Sequence, residues 1–296
     1  MCSLLLTYNM RKEKNTAVIL AHCPDQKGIV ATITEFLLNN NGNVIRLDQH
    51  VDRDIGHFYI RVEWELEEFL IPQEKTEDFF KTLIADKFNM EWKITFRDRN
   101  PRIGIMVSKY AHCFYDILSR YDFKEWKIDI PLIISNHKKF EHVAKRHDIP
   151  FYYIPKNKET RAEQEKKEIA LLKEHNVDVV ILARYMQILT ENIIGEFPNQ
   201  IINIHHSSLP AFVGADPYSS AYKRGVKFMG ATGHYVTGEL DAGPIIIQDV
   251  IPITHRDSIA DMKRKGKDIE KIVFADAIWA HINHRVLIHE NKTVVF

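Results

Sequence analysis

The sequence predicts an α/β chain in two parts: a βαββαβ ferredoxin-like domain over 1–97, then a Rossmann-like, mostly parallel sheet over 103–296. Three observations carry this. Strand-like and helix-like periods alternate along the chain. The strands expected in the second part are nearly all apolar, as in sheets covered on both faces. Between the parts, the charged stretch 97–102 with its Asn-Pro reads as a linker.

Residues 16–21 are apolar and strand-like, and Cys23-Pro24-Asp25-Gln26-Lys27-Gly28 is turn chemistry. Ile29, Val30, Ile33, Phe36, Leu37 and Leu38 recur at helical spacing, predicting a helix over Ile29–Asn39 that Asn40, Asn41 and Gly42 stop. Strands are expected over 44–51 and His57–Glu65, joined by the polar turn 52–56, with Phe58, Ile60 and Val62 alternating. An amphipathic helix over 74–87 and a strand over 90–96 close the domain.

After the linker, strands are expected at 103–107, 131–135, 150–154, 177–183, 201–204 and 229–236, with helices at 113–121, 140–147 and 156–176. A long helix over 258–281 follows, with Ile259, Met262, Ile269, Val273 and Trp279 inward. A hairpin of 285–289 and 292–296 around Glu290-Asn291 ends the chain. The mixed-sign run 156–167 and the basic run 263–267 read as solvated faces.

Composition excludes several classes. Apolar content of 45% and charged content of 27% are ordinary globular values. A net charge of zero gives no global field for nucleic acid or an anionic membrane. Cys2, Cys23 and Cys113 are too scattered for a disulfide framework or a metal site. With no membrane-length apolar run and no clear cleavage site in the opening residues, a soluble cytoplasmic protein is expected.

The chemistry concentrates in two places. Residues 201–204 end in the polar cluster Asn203, His205, His206, Ser207 and Ser208, and residues 229–236 carry His234 into a Gly-rich loop with Glu239 and Asp241. An amide, an imidazole and a carboxylate delivered to strand ends suit acyl chemistry, which needs an oxyanion donor, a proton carrier and a group that holds the nucleophile. The set needs no Ser or Cys nucleophile, which points to direct transfer or hydrolysis. His206 is read as a surface or satisfied core histidine. Cys113 is read as structural, since its neighbour His112 does not face it on a helix.

Asn203-Ile204-His205, the Ser208-Leu209-Pro210 after it, and Glu239-Leu240-Asp241-Ala242-Gly243-Pro244 roughly three dozen residues on resemble the signature of the 10-formyltetrahydrofolate-dependent formyltransferases. Cys23-Pro24-Asp25, Gly28, Ile29 and Val30 resemble the opening of ACT domains. Met106-Val107-Ser108-Lys109-Tyr110, Gly214-Ala215-Asp216-Pro217-Tyr218, and Lys263, Gly266, Asp268 and Glu270 resemble the formyltetrahydrofolate deformylases, the members of that superfamily with an N-terminal ACT domain. Asp216 and Gly233 stand where that family more often carries Asn and Ala.

The resemblance implies roles. His205 stabilises a tetrahedral oxyanion, Asn203 donates to the same oxygen, and Asp241 orients the attacking water and accepts its proton, directly or through His205. His234 fixes their geometry. Folate is expected between Arg184, Met186, Gln187, Ile188 and Leu189 on one loop and Val236, Thr237, Gly238, Glu239 and Leu240 on another. Met186, Ile188 and Leu189 would be apolar walls and Gln187 a polar handle; ordinary crevice lining is the alternative. Asp25, Gly28 and Ile29 would hold a small amino-acid effector such as glycine or methionine, since free N–H groups at a helix start favour a carboxylate. The alternatives are an ACT fold used only for dimer contacts, and Asp25 as a helix cap.

The reaction implied is hydrolysis of 10-formyltetrahydrofolate to tetrahydrofolate and formate, balancing one-carbon folate pools for purine synthesis. Folate is then the substrate, with no cofactor or metal, and a homo-oligomer (dimer or tetramer) is expected. Two readings stay open: transfer to an amine acceptor, and a folate or amino-acid sensor without catalysis. Against transfer to a phosphorylated acceptor, Ser108-Lys109-Tyr110-Ala111-His112-Cys113 contains no glycine for a phosphate cradle. Against a tRNA acceptor, only roughly fifty-five residues follow Asp241, one helix and a hairpin rather than a nucleic-acid-binding domain.

Overall fold

A computed structural model of the chain describes residues 15–157, 159–210 and 217–296. Cys2, the opening residues and the Gly214-Ala215-Asp216 part of one family motif lie outside the described residues. The chain parts into two compact units at Arg99 and Asn100.

The first unit runs β1 (Thr16–Pro24), α1 (Ile29–Asn39), β2 (Val44–Asp52), β3 (His57–Glu65), α2 (Gln73–Phe80), a π-helical turn (Lys81–Ala85), α3 (Asp86–Phe88) and β4 (Glu91–Phe96). Its sheet has the order β2-β3-β1-β4, with every pairing antiparallel. Alternation on β1 and β3 turns Ile19, Ile60, Val62 and Trp64 onto Ile33, Phe36, Phe80 and Ile84 of the helices. Gly28 precedes α1 at φ +93°, a left-handed conformation that a side chain would strain. No side chain caps α1, so Asp25 is not its cap; its backbone N–H instead bonds the Gly56 carbonyl at 2.8 Å.

The second unit runs β5 (Arg102–Val107), α4 (His112–Asp122), β6 (Asp129–Ser135), a 3-10 turn (Lys138–Phe140), α5 (Glu141–Arg146), β7 (Phe151–Tyr153), α6 (Arg161–Glu174), β8 (Val179–Ala183) and α7 (Glu191–Glu196). It continues with β9 (Ile201–His205), α8 (Pro217–Arg224), β10 (Phe228–Tyr235), β11 (Ile245–Pro252), α9 (Ile259–Ile282), β12 (Val286–His289) and β13 (Lys292–Val295). Seven strands form one sheet in the order β11-β10-β9-β8-β5-β6-β7. β9, β8, β5, β6 and β7 are parallel, and β10 and β11 join antiparallel. The strand order reverses between β5 and β8, and the carboxyl ends of strands at such a reversal are where ligands of these sheets collect.

Three elements lie outside the sequence expectation: α7, α8 and β11. Two inferences are corrected. The run 156–167 is not wholly solvated, because the buried Lys156 ammonium pairs with the buried Glu168 carboxylate at 2.6 Å and Tyr185 donates to the same carboxylate. Trp279 is exposed, its ring under the Arg285 guanidinium, whereas Met262, Ile269 and Val273 do face inward. Among the described residues no helix is long and apolar enough to cross a membrane.

Candidate active site

β9 sets the first half of the site. Asn203 and His205 are two residues apart, so both project from one face. β10 lies antiparallel beside it with His234 opposite Asn203 and Thr232 opposite His205. Cross-strand pairing therefore makes neighbours of groups far apart in sequence. The register against β11 shifts between Gly233 and His234, just before the loop that follows.

His234 is buried, and burial holds its pKa below the usual imidazole value. Its Nδ1–H donates to the Tyr235 carbonyl at 2.9 Å, which leaves Nε2 as an acceptor for the Asn203 amide N–H at 3.2 Å. The Asn203 amide is thereby oriented with a second N–H to spare.

Asp241 stands at φ +55° in the 236–244 loop, its carboxylate between two imidazoles. Oδ2 is 3.2 Å from His205 Nδ1, and Oδ1 is 3.6 Å from His234 Nε2. The His205 hydrogen bond lowers the Asp241 pKa below the ordinary carboxylate value against the opposing effect of burial. His205 is 7% exposed, and its Nε2 has no hydrogen-bond partner. With Nδ1 committed to Asp241, Nε2 is available to a ligand.

The loop is braced from two sides. Gly243 packs against the Tyr235 carbonyl so closely that a Cβ there would overlap it. From the terminal hairpin, Asn291 donates to the Ala242 carbonyl at 3.0 Å and Thr293 to the Ile245 carbonyl at 2.6 Å. Asn291, Thr232 and Ser108 were not legible as site supports. The Thr232 hydroxyl donates to the Ser207 carbonyl at 2.8 Å and accepts from Leu209 and Gln248. The Ser108 hydroxyl donates to Asn136 at 2.7 Å and accepts the Met186 backbone N–H at 3.0 Å, tying the β5 and β8 loops together.

The two loops assigned to folate divide by exposure. Met186, Ile188 and Leu240 are 53%, 58% and 61% exposed. Leu189 turns inward to pack with Tyr185 and Ile193, so it is not a wall. The Gln187 amide donates to its neighbour's carbonyl at 2.7 Å. Val236 packs against the core beneath, and Thr237 donates to the Glu239 carbonyl at 3.3 Å. Gly238 lies beside Glu191, where a Cβ would come within 3.4 Å of the carboxylate.

Arg184 is buried at φ +57°, over the Tyr110 ring, with Nε 3.5 Å from Glu270. Its side chain is thus engaged with the protein. His206 packs at a tilt between His205 and Tyr218, with centroid separations of 5.1 and 5.9 Å, and burial pushes its pKa down to about 4. It is a packed neutral ring, not a surface residue. Burial raises the Cys113 thiol well above its usual value, consistent with a structural residue.

A model of the family described as "Formyl transferase" matches residues 101–278, and the ACT domain model matches 17–63. A formyltetrahydrofolate deformylase of Synechocystis sp. is 48% identical over 95% of this chain and 98% of that protein. The crystal structure of a formyltetrahydrofolate deformylase from Pseudomonas syringae pv. tomato superposes with a TM-score of 0.92 at 43% identity, covering 97% of this chain and 96% of that one. A glycinamide ribonucleotide transformylase from Symbiobacterium toebii is similar over 68% of this chain and 96% of its own, at 28% identity and a TM-score of 0.63. Sheet and site thus define a formyl transferase fold preceded by an ACT domain. Within that class, the chain belongs to the formyltetrahydrofolate deformylase family.

Proposed function

We propose that the chain hydrolyses 10-formyltetrahydrofolate, releasing tetrahydrofolate and formate. The observation that carries this is the convergence of Asn203, His205 and Asp241, with His205 Nδ1 held by Asp241 and its buried Nε2 left without a partner. The pterin and benzoyl rings lie against Met186, Ile188 and Leu240. The formyl oxygen receives the free N–H of Asn203 and His205 Nε2–H. Water attacks the formyl carbon; its proton passes to the Asp241 carboxylate and on to N10 as the C–N bond breaks. Asp241 is suited to this because it is ionised at neutral pH. Neutral His234 positions Asn203 and touches no reacting atom.

The first unit supports amino-acid binding at Asp25, Gly28 and Ile29, where α1 starts without a side-chain cap. Association through this unit into a dimer or tetramer, and a cytoplasmic location, complete the proposal.

Purified protein with 10-formyltetrahydrofolate and no acceptor is expected to release formate. Asn203→Ala should lose roughly 100- to 1000-fold in kcat, the range for one oxyanion donor. Release of the formyl group only when an amine is supplied would overturn the proposal.

A further inference from the structure

The start of α4, just after β5 at the reversal of strand order, is where a sheet of this kind ordinarily receives a ligand's phosphate: free helix N–H groups and the helix dipole favour an anion there. In this chain a buried carboxylate lies beside that helix start, against the side chain of its first residue. Glu270, from α9, is 2% exposed and reaches the first residue of α4, where its Oε2 lies 2.7 Å from His112 Nε2. Tyr218 donates to Oε1 at 2.9 Å, and the Arg184 guanidinium lies 3.5 Å from Oε2. Gly266, one turn earlier on α9, makes room for the Tyr218 ring, since a Cβ there would overlap the phenol oxygen. Burial opposes ionisation of Glu270, but the His112 hydrogen bond and the Arg184 charge outweigh it and hold its pKa below the usual value. The cluster adjoins the reaction centre through His206, whose ring packs between His205 and Tyr218. It makes a poor cation site, because Arg184 already pairs with the carboxylate and the Cys113 thiol resists ionisation.

We propose that Glu270 determines which acceptor the site admits: its carboxylate fills the anion position at the start of α4, excludes phosphorylated acceptors and leaves the attack to water. This rests on the hydrolytic reading above. A phosphate entering here would meet a buried negative charge, find His112 and Tyr218 already bonded to it, and compete with that carboxylate for the Arg184 charge, whose buried Nε makes no hydrogen bond. Glu270 works by exclusion and touches no reacting atom, so it is a specificity residue.

The test uses the full-length protein, inorganic phosphate as probe, and Glu270→Ala, which removes the charge and vacates the position. The wild type should release formate without acceptor; if it does not, the hydrolytic reading fails, whatever phosphate does. Wild-type formate release and melting temperature should be indifferent to phosphate when ionic strength is matched with chloride. The variant should melt lower, because Arg184 loses its counter-charge. Phosphate should raise its melting temperature, bind roughly tenfold or more tightly than to wild type, and slow formate release. A folded variant that binds phosphate no better than wild type would overturn the proposal. If the variant does not fold, the wild-type titration still decides: inhibition by phosphate competitive with folate, or formyl transfer to a phosphorylated primary amine, would overturn it.

Discussion

Asp241 holds its carboxylate between His205 and His234 from a left-handed backbone position that short polar side chains tolerate. The surrounding rings have a consequence for stability. The His206 pKa is depressed to about 4 and the His234 pKa is also lowered, both by burial first. Below the ordinary imidazole pKa of about 6.5 the unfolded chain takes up protons that the folded site refuses. Stability should therefore be full above that pH, fall as the pH drops, and level off for His206 below about 4. Asp241 adds a further loss at lower pH, as acid passes below the ordinary carboxylate range and protonates it in the folded state too. Melting temperatures from pH 7 to 4 should show this slope, and His206→Asn should flatten it. A wild type flat across that range, or an unchanged slope in the variant, would contradict the assignment.

At the scale of elements, Gly233 on β10 shows why the sheet and α9 pack so closely. A Cβ at Gly233 would come 2.7 Å from the Ala277 Cβ. The glycine is thus a packing requirement of this chain's own α9. Gly233→Ala should destabilise by about 1–3 kcal/mol, the usual cost of overpacking, and Ala277→Gly should restore part of it. Additive losses in that double-mutant cycle, measured by urea unfolding, would show the contact to be irrelevant. The same scale explains what was legible. α1 and β3 carry clean periods and stand at their expected bounds, Ile29–Asn39 and His57–Glu65. α7 is only six residues long, too short to show a period, and its sequence signal is the Thr190 cap that accepts the Asn192 N–H. β11 was missed because it carries Gln248 and Asp249 amid its apolar residues and pairs at the sheet edge, where alternation is weakly enforced. Glu270 was legible in retrospect: it shares the inward face of α9 with Gly266, Val273 and Ala277, and a carboxylate on a buried stripe needs partners.

For the whole molecule, motif spacing showed which residues matter but not how they meet. Asn203 and Asp241 were readable together because one lies on a strand and the other in the loop after its antiparallel neighbour. The Asn291 brace was unreadable, since it depends on where the terminal hairpin lands beside β11. The His112–Glu270 contact spans 158 residues and follows only from packing α9 over the sheet against α4. The central claim is that this assembly delivers water to a formyl carbon. A single turnover of 10-formyltetrahydrofolate in oxygen-18 water, read by mass spectrometry of the product, tests it most directly. One heavy oxygen atom incorporated per formate, with no acceptor present, is the predicted result; formate without the label, or no turnover until an amine is added, would contradict it.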